Sequence, residues 1–439
     1  MKTLRRIAVA ALLLSAAPHA EAQETVRLTL AEALERARQT SPSLGGLEDL
    51  EAAAAAGLRG ALAEKAPRVD VGASYARNSD VDELTIALPG QPPRTLFPNI
   101  PDNYRVHLGA TLPLYTGGRI ESAVDAAGRQ LAAAGHDRVG GERDLARETR
   151  VAYWRLVTSR AGERVLAESV ASYEAHLGDA RNRFEVGTVA RNEVLAVQVE
   201  RDRAELTRLQ AESNAEVANA DLVRLTGLPP GARVEPAEPL ALPEAPVEDT
   251  EALVERAFAA RPELLAFQER IAAARANADV RRAASRPQVG LSLGYDYANP
   301  NTRILPLEDE FRSTWTAGLS VSLHAFDGGR TAAATAEAEA RADALERQLE
   351  DVRQRLRLEV TARLLELRTA RAALAVADRN LEAARENRRV AADRYGEGVI
   401  PSSELLDAET ALLRAGLDQT SASTQVHVAL ANLDRAVGR

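Results

Sequence analysis

The sequence contains no cysteine and almost no lysine. Cysteine is absent from all 439 residues, and lysine occurs only as Lys2 and Lys65. Without cysteine the chain cannot form disulfides, thiolate metal sites or a cysteine nucleophile. Neither lysine stands in a phosphate-binding GxxxxGK[ST] loop, and so small a number of lysines disfavours Schiff-base chemistry. These absences exclude several common classes of enzyme.

Aromatic residues are also scarce, and acidic residues outnumber basic ones. Aromatic residues make up 4% of the chain, and the formal net charge is -9. Nucleic-acid-binding proteins normally carry a basic field, so this charge argues against a nucleic-acid partner. The sequence has no HExxH, GxSxG or GxGxxG motif, and its histidines lack partners at metal-ligand spacing. We therefore expect no enzyme activity, no cofactor and no bound metal.

No hydrophobic run approaches the 18 or so residues that a transmembrane helix needs. One apolar run lies near the N-terminus, over 7–17, after a basic start and before a small-residue pattern that ends at Ala22. Such a segment is typical of a secretory signal and is too short to remain in a bilayer as a spanning helix. We expect residues 1–22 to be a signal peptide and the protein to be exported.

The chain repeats itself with an offset of 211 residues. The sequence YTGGR at 115–119 matches FDGGR at 326–330, and RFEVGTVARNEVL at 183–195 matches RYGEGVIPSSELL at 394–406. Since one offset holds over so long a stretch, the repeat indicates an internal duplication of a domain-sized unit rather than a solenoid. The predicted units are a first repeat over 23–228, a proline-rich linker over 229–249 and a second repeat over 250–439.

Long stretches without proline predict two long helices in each repeat. They are rich in Ala, Leu, Arg and Glu, and apolar residues recur at spacings of three and four, as at Leu345, Leu349, Val352 and Leu356. A helix of about 66 residues spans about 100 Å, which is too long for the core of an ordinary globular domain. A coiled-coil rod is the simplest interpretation. The predicted helices cover 119–184, 192–226, 330–395 and 402–437.

Each repeat also holds two segments in which apolar residues alternate with small or polar ones. In 311–324, for example, Trp315 and Leu319 fall on one face of a strand and Thr316 falls on the other. The pattern predicts one β-hairpin per repeat, joined by polar, proline-rich loops over 78–103 and 298–310. The predicted hairpins lie at about 68–114 and about 287–325.

Strands of about ten residues with one apolar face suit a membrane-spanning sheet around a water-filled lumen. An ordinary β-sandwich is the alternative, but the signal peptide and the long helices favour the membrane. Four strands cannot close a barrel, and an open edge is not tolerated in hydrocarbon, so several copies must share one barrel. The polar faces would then line the lumen. The residues expected there are Arg105, His107, Thr316 and His324.

The signal peptide, the two repeats of hairpin plus long helical pair and the two GGR strand-to-helix junctions together resemble the TolC family of outer-membrane channels. The resemblance covers essentially the whole chain after the signal, and its most specific parts are RFEVGTVARNEV and RYGEGVIPSSELLDAET. It implies an α+β membrane protein that forms a homotrimer, with a shared β-barrel in the outer-membrane lipid and a periplasmic α-helical barrel.

The same resemblance implies a function and partners. The family supplies the exit duct of tripartite efflux pumps or type I secretion systems, together with a periplasmic adaptor protein and an inner-membrane transporter. We therefore expect an outer-membrane protein with a large periplasmic portion. A soluble periplasmic coiled-coil scaffold without a membrane barrel is the alternative, but it does not explain the four alternating segments.

The resemblance also assigns candidate site residues near the two predicted helix tips. In the family, a tyrosine before the second tip and two acidic residues after it line the closed periplasmic entrance, and Tyr395, Glu404 and Asp407 match them. The family's basic tip residue falls on Ile400. In the first repeat the matching acidic residue is Glu193, beside Asn192. The tips themselves are expected to dock the adaptor, through Gly187, Thr188, Gly398 and Val399.

The spacing of Glu404 and Asp407 supports this assignment independently of the family. Residues three apart share one helical face, so threefold symmetry would stack these carboxylates into rings that favour cations in a narrow pore. The simpler alternative is that Glu404 only complements the positive end of its helix, which is worth about 0.3–1 kcal/mol.

Overall fold

The computed structural model describes residues 25–87, 89–90, 92–240 and 249–439. The predicted signal peptide, residues 1–22, lies outside these residues. The described chain has an α+β fold that is mostly helical. No helix in the described residues combines the length and the hydrophobicity that crossing a membrane requires.

The same order of elements occurs twice along the chain. The first half contains β1 (Thr25–Leu28), α1 (Leu30–Thr40), α2 (Pro42–Ala63), β2 (Arg68–Arg77), β3 (Leu84–Ile86), β4 (Arg94–Phe97), β5 (Asp102–Tyr115), α3 (Arg119–Glu185) and α4 (Arg191–Thr226). The second half contains β6 (Arg233–Pro236), α5 (Thr250–Ala260), α6 (Pro262–Arg282), β7 (Gln288–Asn299), β8 (Arg312–Ser322), α7 (Arg330–Gly396) and α8 (Ser402–Ala436). Only the short strands β3 and β4 have no counterpart in the second half of the described chain.

The long helices have nearly equal lengths in the two halves. Helices α3 and α7 each contain 67 residues, and α4 and α8 contain 36 and 35. Helices α3 and α7 each begin just after a Gly-Gly pair with positive φ, at Gly117-Gly118 and at Gly328-Gly329. A Cβ atom at Gly117 would lie 2.7 Å from Cβ of Arg286, so both the backbone angle and the close approach require glycine there.

The chain folds as two compact units. The first comprises the described residues within 42–144, 248–362 and 435–439, and it holds the larger sheet. The second comprises the described residues within 1–41, 145–247 and 363–434, and it holds the turns between the long helices. Helices α3 and α7 contribute residues to both units.

The first unit contains a four-stranded antiparallel sheet with the order β2-β5-β7-β8. Strand β5 of the first half pairs with β7 of the second, so the two halves share one sheet. The register places apolar residues side by side across the sheet, since Val71 pairs with Leu108, Leu108 with Tyr295 and Tyr295 with Trp315. Strands β2 and β8 are its edges, and within the described part of the chain neither edge has a partner strand.

One face of this sheet is apolar and exposed. The exposed fractions of Val71, Trp315, Leu319 and Val321 are 74%, 75%, 67% and 67%. Proteins whose surface is entirely in water rarely expose a continuous apolar surface that extends across four strands. The alternation that the sequence indicated therefore produces a continuous apolar face.

The opposite face of the sheet is polar and contains a small charged cluster. The Arg105 guanidinium donates from Nε to Oδ1 of Asp296 at 2.7 Å, and Nδ1 of His107 lies 2.9 Å from the same oxygen. Arg303, from the loop after β7, donates a hydrogen bond to the Thr316 hydroxyl. Arg105, His107 and Thr316 thus lie on the polar face. The prediction for His324 needs correction, because β8 ends at Ser322 and His324 follows the strand.

Aromatic side chains cluster at the end of the sheet that lies away from the Gly-Gly junctions. The rings of Tyr75 and Tyr104 are 5.0 Å apart, those of Tyr104 and Phe311 5.9 Å, and those of Tyr297 and Phe311 5.1 Å. Tyrosine and tryptophan are enriched where a membrane protein meets the lipid headgroups. The cluster is therefore consistent with a membrane interface at this end.

Two segments predicted to be irregular contain strands. The predicted loop 78–103 includes the short antiparallel hairpin of β3 and β4. The predicted linker 229–249 includes β6, which pairs in parallel with β1. The Asn219 side chain fixes β6 to α4, because it donates to the carbonyl of Ala232 at 2.8 Å and accepts from the Val234 amide at 2.7 Å. Residues 241–248 of the predicted linker lie outside the described residues.

A half-buried carboxylate within the predicted linker, that of Glu238, contacts helices of the second unit. Both oxygens of Glu238 lie 3.0 Å from the Leu30 amide at the start of α1, and the Tyr153 hydroxyl donates to Glu238. The same hydroxyl lies 3.1 Å from the Leu28 carbonyl. Burial raises the pKa of the Tyr153 phenol, and the hydrogen bond to Glu238 raises it further. Glu238 therefore joins α1 to α3, and the Tyr153 hydroxyl joins α3 to β1.

Replacing Glu238 by alanine should lower the free energy of unfolding. The substitution leaves the Leu30 amide and the Tyr153 hydroxyl without their charged acceptor, which costs about 1–3 kcal/mol. The measurement is the thermal unfolding midpoint in detergent, followed by circular dichroism. Glu235→Ala is the matched control, because Glu235 lies exposed on β6, three residues before Glu238. Equal midpoints for the two variants would show that the Glu238 contacts do not stabilise the fold.

The two faces of the sheet should differ in their access to water. Single cysteines at Thr316 and Ser320 should react with a membrane-impermeant thiol reagent in the reconstituted protein, whereas cysteines at Leu319 and Val321 should be protected by lipid. The native chain is the blank, since it contains no cysteine. Equal labelling at all four positions would contradict a membrane-facing apolar side.

Candidate functional site

The turns between the long helices, here called the helix tips, have the same backbone geometry in both halves. In the first tip the Thr188 amide donates to the Arg183 carbonyl at 2.9 Å, and the Gly187 amide donates to the Phe184 carbonyl at 3.0 Å. These two bonds form a Schellman motif, in which a residue with positive φ ends a helix. Gly187 occupies that position with φ 76°.

The second tip repeats this arrangement 211 residues later. The Val399 amide donates to the Arg394 carbonyl at 2.9 Å, and the Gly398 amide donates to the Tyr395 carbonyl at 3.0 Å. Gly398 has φ 75°, and no heavy atom lies within 4 Å of a Cβ placed on it. Glycine is required here by the backbone angle and not by close packing. The apolar side chain of Val399 is 59% exposed.

The candidate acidic residues follow the tips, in the first turns of α4 and α8. Glu193 and Glu404 occupy equivalent first-turn positions, where a negative side chain is stabilised by the positive end of the helix. Glu404 and Asp407 are exposed in the single chain, and so is Asn192, whereas Glu193 is half-buried. Glu404 and Asp407 are thus available to a neighbouring chain or to solvent.

Tyr395 occupies a different environment from the acidic residues. Its side chain is only 4% exposed, and it packs with Ile400 and Leu405 in an apolar cluster at the second tip. The Arg183 guanidinium lies 4.4 Å above the ring centroid, and the His176 ring contacts the tyrosine edge-on at 5.1 Å. Burial raises the pKa of the Tyr395 phenol, and the Arg183 charge partly offsets this effect. Tyr395 therefore joins the second tip to α3 of the same chain.

The structure also reveals a buried polar cluster near the second tip that the sequence did not indicate. We call it the His176 cluster. Nδ1 of His176 lies 3.2 Å from Oε2 of Glu409, and Nε2 lies 3.0 Å from the Ser402 hydroxyl. The side chains of His176 and Glu409 are 2% and 4% exposed. The cluster therefore connects α3 with the first two turns of α8.

Helix α7 closes the cluster from a third side. The Ser172 hydroxyl donates to Oε1 of Glu409 at 2.9 Å, and the Arg388 guanidinium donates to that hydroxyl at 3.0 Å. The guanidinium also lies 3.6 Å from the Glu409 carboxylate. Every polar atom named here has a partner, which is the condition under which a buried polar network adds to stability. Three of the four long helices thus meet at one set of hydrogen bonds.

The first half has no equivalent of this cluster. The offset of 211 residues places Asn387 opposite His176 and Gln198 opposite Glu409, so neither the imidazole nor the carboxylate is repeated. A comparison of the two repeats in the sequence could have shown that they differ at His176 and at Glu409. It could not have shown that these two residues are in contact. Among the residues that the structure describes, no three His, Cys, Asp or Glu side chains form a group that could hold a metal ion.

Comparison with known proteins places these features in a family. A model of the outer membrane efflux protein family matches residues 33–228 and 253–439. Protein CyaE of Bordetella pertussis is 29% identical over 309 residues, which are 69% of this chain and 64% of that protein, so the match spans less than two thirds of CyaE. Outer membrane protein OprJ of Pseudomonas aeruginosa is 28% identical over 349 residues, which are 77% of this chain and 71% of that protein.

The fold is shared with solved structures. The outer membrane protein VceC from Vibrio cholerae has a TM-score of 0.76 with this chain at 21% sequence identity, and the superposition covers 93% of this chain and 96% of that one. At this sequence identity, the comparison shows that the two proteins share a fold. Because the family model matches most of both halves, the chain belongs to the outer membrane efflux protein family.

Proposed function

We propose that this protein is an outer-membrane channel that acts as the passive exit duct of a tripartite efflux pump or a type I secretion system. One observation carries the proposal: a four-stranded sheet with an exposed apolar face and two unpaired edges, in a chain of the outer membrane efflux protein family. A soluble periplasmic scaffold would leave this apolar face in water, so that alternative is not favoured.

The unpaired edges support a homotrimer. In hydrocarbon, the free backbone groups of β2 and β8 must pair with strands from other copies. Three chains with four strands each would close a barrel of twelve strands, which is within the usual range for outer-membrane barrels. The polar face with Arg105, His107 and Thr316 would then line a wet lumen.

A stripe on α4 supports the same assembly. Leu195, Val199, Leu206 and Leu209 are 50%, 49%, 58% and 48% exposed, and their spacing places them along one side of the helix. An apolar stripe of this kind normally packs against another helix. A second copy of the chain is the occupant that the shared barrel would bring to it.

The tips would form the gated periplasmic entrance. Under threefold symmetry, Glu404 and Asp407 would supply six carboxylates around the axis, and such rings attract cations. Ile400 stands where a basic partner would be needed, and it is buried in the apolar cluster of the second tip. The closed state would therefore depend on helix packing around Tyr395 instead of a basic–acidic pair.

The tips are also the proposed docking points for a periplasmic adaptor, which would connect the channel to an inner-membrane transporter. Gly187 and Gly398 shape the two turns, and Thr188 and Val399 follow them on the exposed side. The Val186 side chain is 74% exposed in the first tip. Exposed apolar side chains on rigid turns are suited to contact with the turns of another helical hairpin.

The assembly should be a trimer in detergent, as measured by light scattering coupled to size exclusion. Val199→Glu and Leu206→Glu together should weaken it, because charges would enter the apolar stripe of α4. Thr207→Glu is the control, since Thr207 is exposed on the same helix and, at 100° per residue, lies about a third of a turn away from the stripe. A monodisperse native monomer with its β-sheet signal intact would contradict the shared barrel.

Removal of the gate carboxylates should change conduction in planar bilayers. The Glu404→Ala/Asp407→Ala variant should conduct more and select less for cations. Block by divalent cations from the periplasmic side should weaken by about tenfold, or about 1.4 kcal/mol. Glu216→Ala, exposed on α4, is the control. If block and conductance do not change, these carboxylates only complement the positive ends of their helices.

A further inference from the structure

The loop between β7 and β8 folds back over the polar face of the sheet. Asn301 is only 5% exposed, and its Nδ2 donates to the Arg312 carbonyl at 2.9 Å and to the Thr314 hydroxyl at 3.2 Å. Its Oδ1 accepts from the Arg303 amide at 3.1 Å. The Arg303 side chain then reaches Thr316, which lies four residues, or about 13 Å, inside β8. The loop therefore runs back along the strand instead of extending beyond its end.

A cavity separates part of this loop from the sheet. Its volume is about 200 Å³, and the residues that line it include Arg303 of the loop and Arg105 and Asp296 of the polar face. The loop thus occupies space in front of the polar face. In the proposed barrel that space is the lumen, so the loop would narrow it.

The Arg303 guanidinium makes its hydrogen bonds to neutral groups. Nη1 donates to the Thr316 hydroxyl and to the Trp315 carbonyl, the latter at 3.4 Å. In the part of the chain that the structure describes, Nε and Nη2 have no hydrogen-bond partner. Because an arginine fork binds carboxylate or phosphate oxygens through such nitrogens, Arg303 is free to take up an anion.

The acidic side chains around the loop do not neutralise Arg303. Three of them form ion pairs with other arginines: Asp296 with Arg105 at 2.7 Å, and Glu308 and Glu310 with Arg312 at 2.8 and 3.2 Å. Asp309, the remaining acidic residue of the loop, is exposed to solvent. Arg303 therefore presents a positive charge to the space in front of the sheet.

A neighbouring copy would not supply the missing carboxylate either. In the proposed barrel, β8 of one copy pairs with β2 of the next, and the acidic residue of β2 is Asp70. A Cβ placed on Gly109 of β5 would lie 2.8 Å from Oδ2 of Asp70. The Asp70 carboxylate thus leans over β5 of its own chain and away from the free edge of β2.

We propose that the β7–β8 loop forms a constriction in the barrel at which three Arg303 side chains bind multivalent anions. This inference rests on the proposed channel function and adds a ligand class for its exit. Under threefold symmetry the guanidiniums would form a ring, and rings of arginine favour anions in a pore. The channel would then attract cations at its tips and anions in its barrel.

The first test places a thiol at the constriction. Since the native chain has no cysteine, Arg303→Cys offers a negatively charged methanethiosulfonate reagent one target per copy. Modification, verified by mass spectrometry, should lower the current of a single channel in planar bilayers in steps, one for each copy. Arg36→Cys is the control, since Arg36 is exposed on α1, in the unit that does not contain the sheet. Its modification should leave the current unchanged.

The second test measures block of the current by inorganic tripolyphosphate, added in turn to each side of the bilayer. Arg303→Gln should raise the half-blocking concentration by about tenfold, because the ring loses its charge. Arg303→Lys keeps that charge and should stay within about threefold of the native value. Arg36→Gln makes the same change in net charge away from the sheet and should be blocked as the native channel is.

The outcomes distinguish the constriction from the channel. A thiol at position 303 that does not react, or that reacts without a change in current, overturns the constriction. Block that is unchanged in Arg303→Gln, or weakened as much in Arg303→Lys, overturns the anion site. Both results leave the channel intact, whereas a reconstituted native protein without conductance overturns the proposed function itself.

Discussion

Backbone hydrogen bonding in hydrocarbon is the constraint on which the proposed assembly depends. Each backbone N–H and C=O group of a strand in the hydrocarbon region must be hydrogen-bonded within the protein, because no water is present to replace a missing partner. In the residues that the structure describes, the outer edges of β2 and β8 have no partner strand, and one face of the sheet is apolar and exposed. Pairing those edges with other copies would impose rotational symmetry. Each side chain near the symmetry axis would then occur once per copy, at equivalent positions around the axis. In the proposed trimer, Glu404 and Asp407 would therefore act as rings of carboxylates and not as single charges.

Much of this architecture could be predicted because its signals are local. The absence of proline sets the ends of α3, α4, α7 and α8 to within one residue of the bounds read from the sequence. Apolar alternation likewise places Trp315 and Thr316 on opposite faces of the sheet. Each of these signals is read from residues a few positions apart, and no knowledge of the packing is required.

The features that the sequence did not indicate depend on distant contacts. Strand β6 exists because β1 and Asn219 hold it, and its proline-rich surroundings otherwise indicate an extended linker. His176 and Glu409 are 233 positions apart, and only the packing of α3 on α8 makes them partners. Tyr395 was expected at the entrance, and its burial within one chain could not be read from its place before the tip. Contacts between such distant residues depend on the way in which the long helices pack against one another.

The two tips share a backbone but differ in chemistry. Gly187 and Gly398 close the same turn with nearly the same φ, yet Thr188 is followed by valine and alanine where Val399 is followed by isoleucine and proline. In a trimer, a partner that recognises the turn itself would meet six equivalent positions. A partner that recognises side chains would meet two alternating sets of three. In the proposed trimer, the duplication would thus present a turn with sixfold geometry to a partner, while the side chains of the tips would keep threefold symmetry.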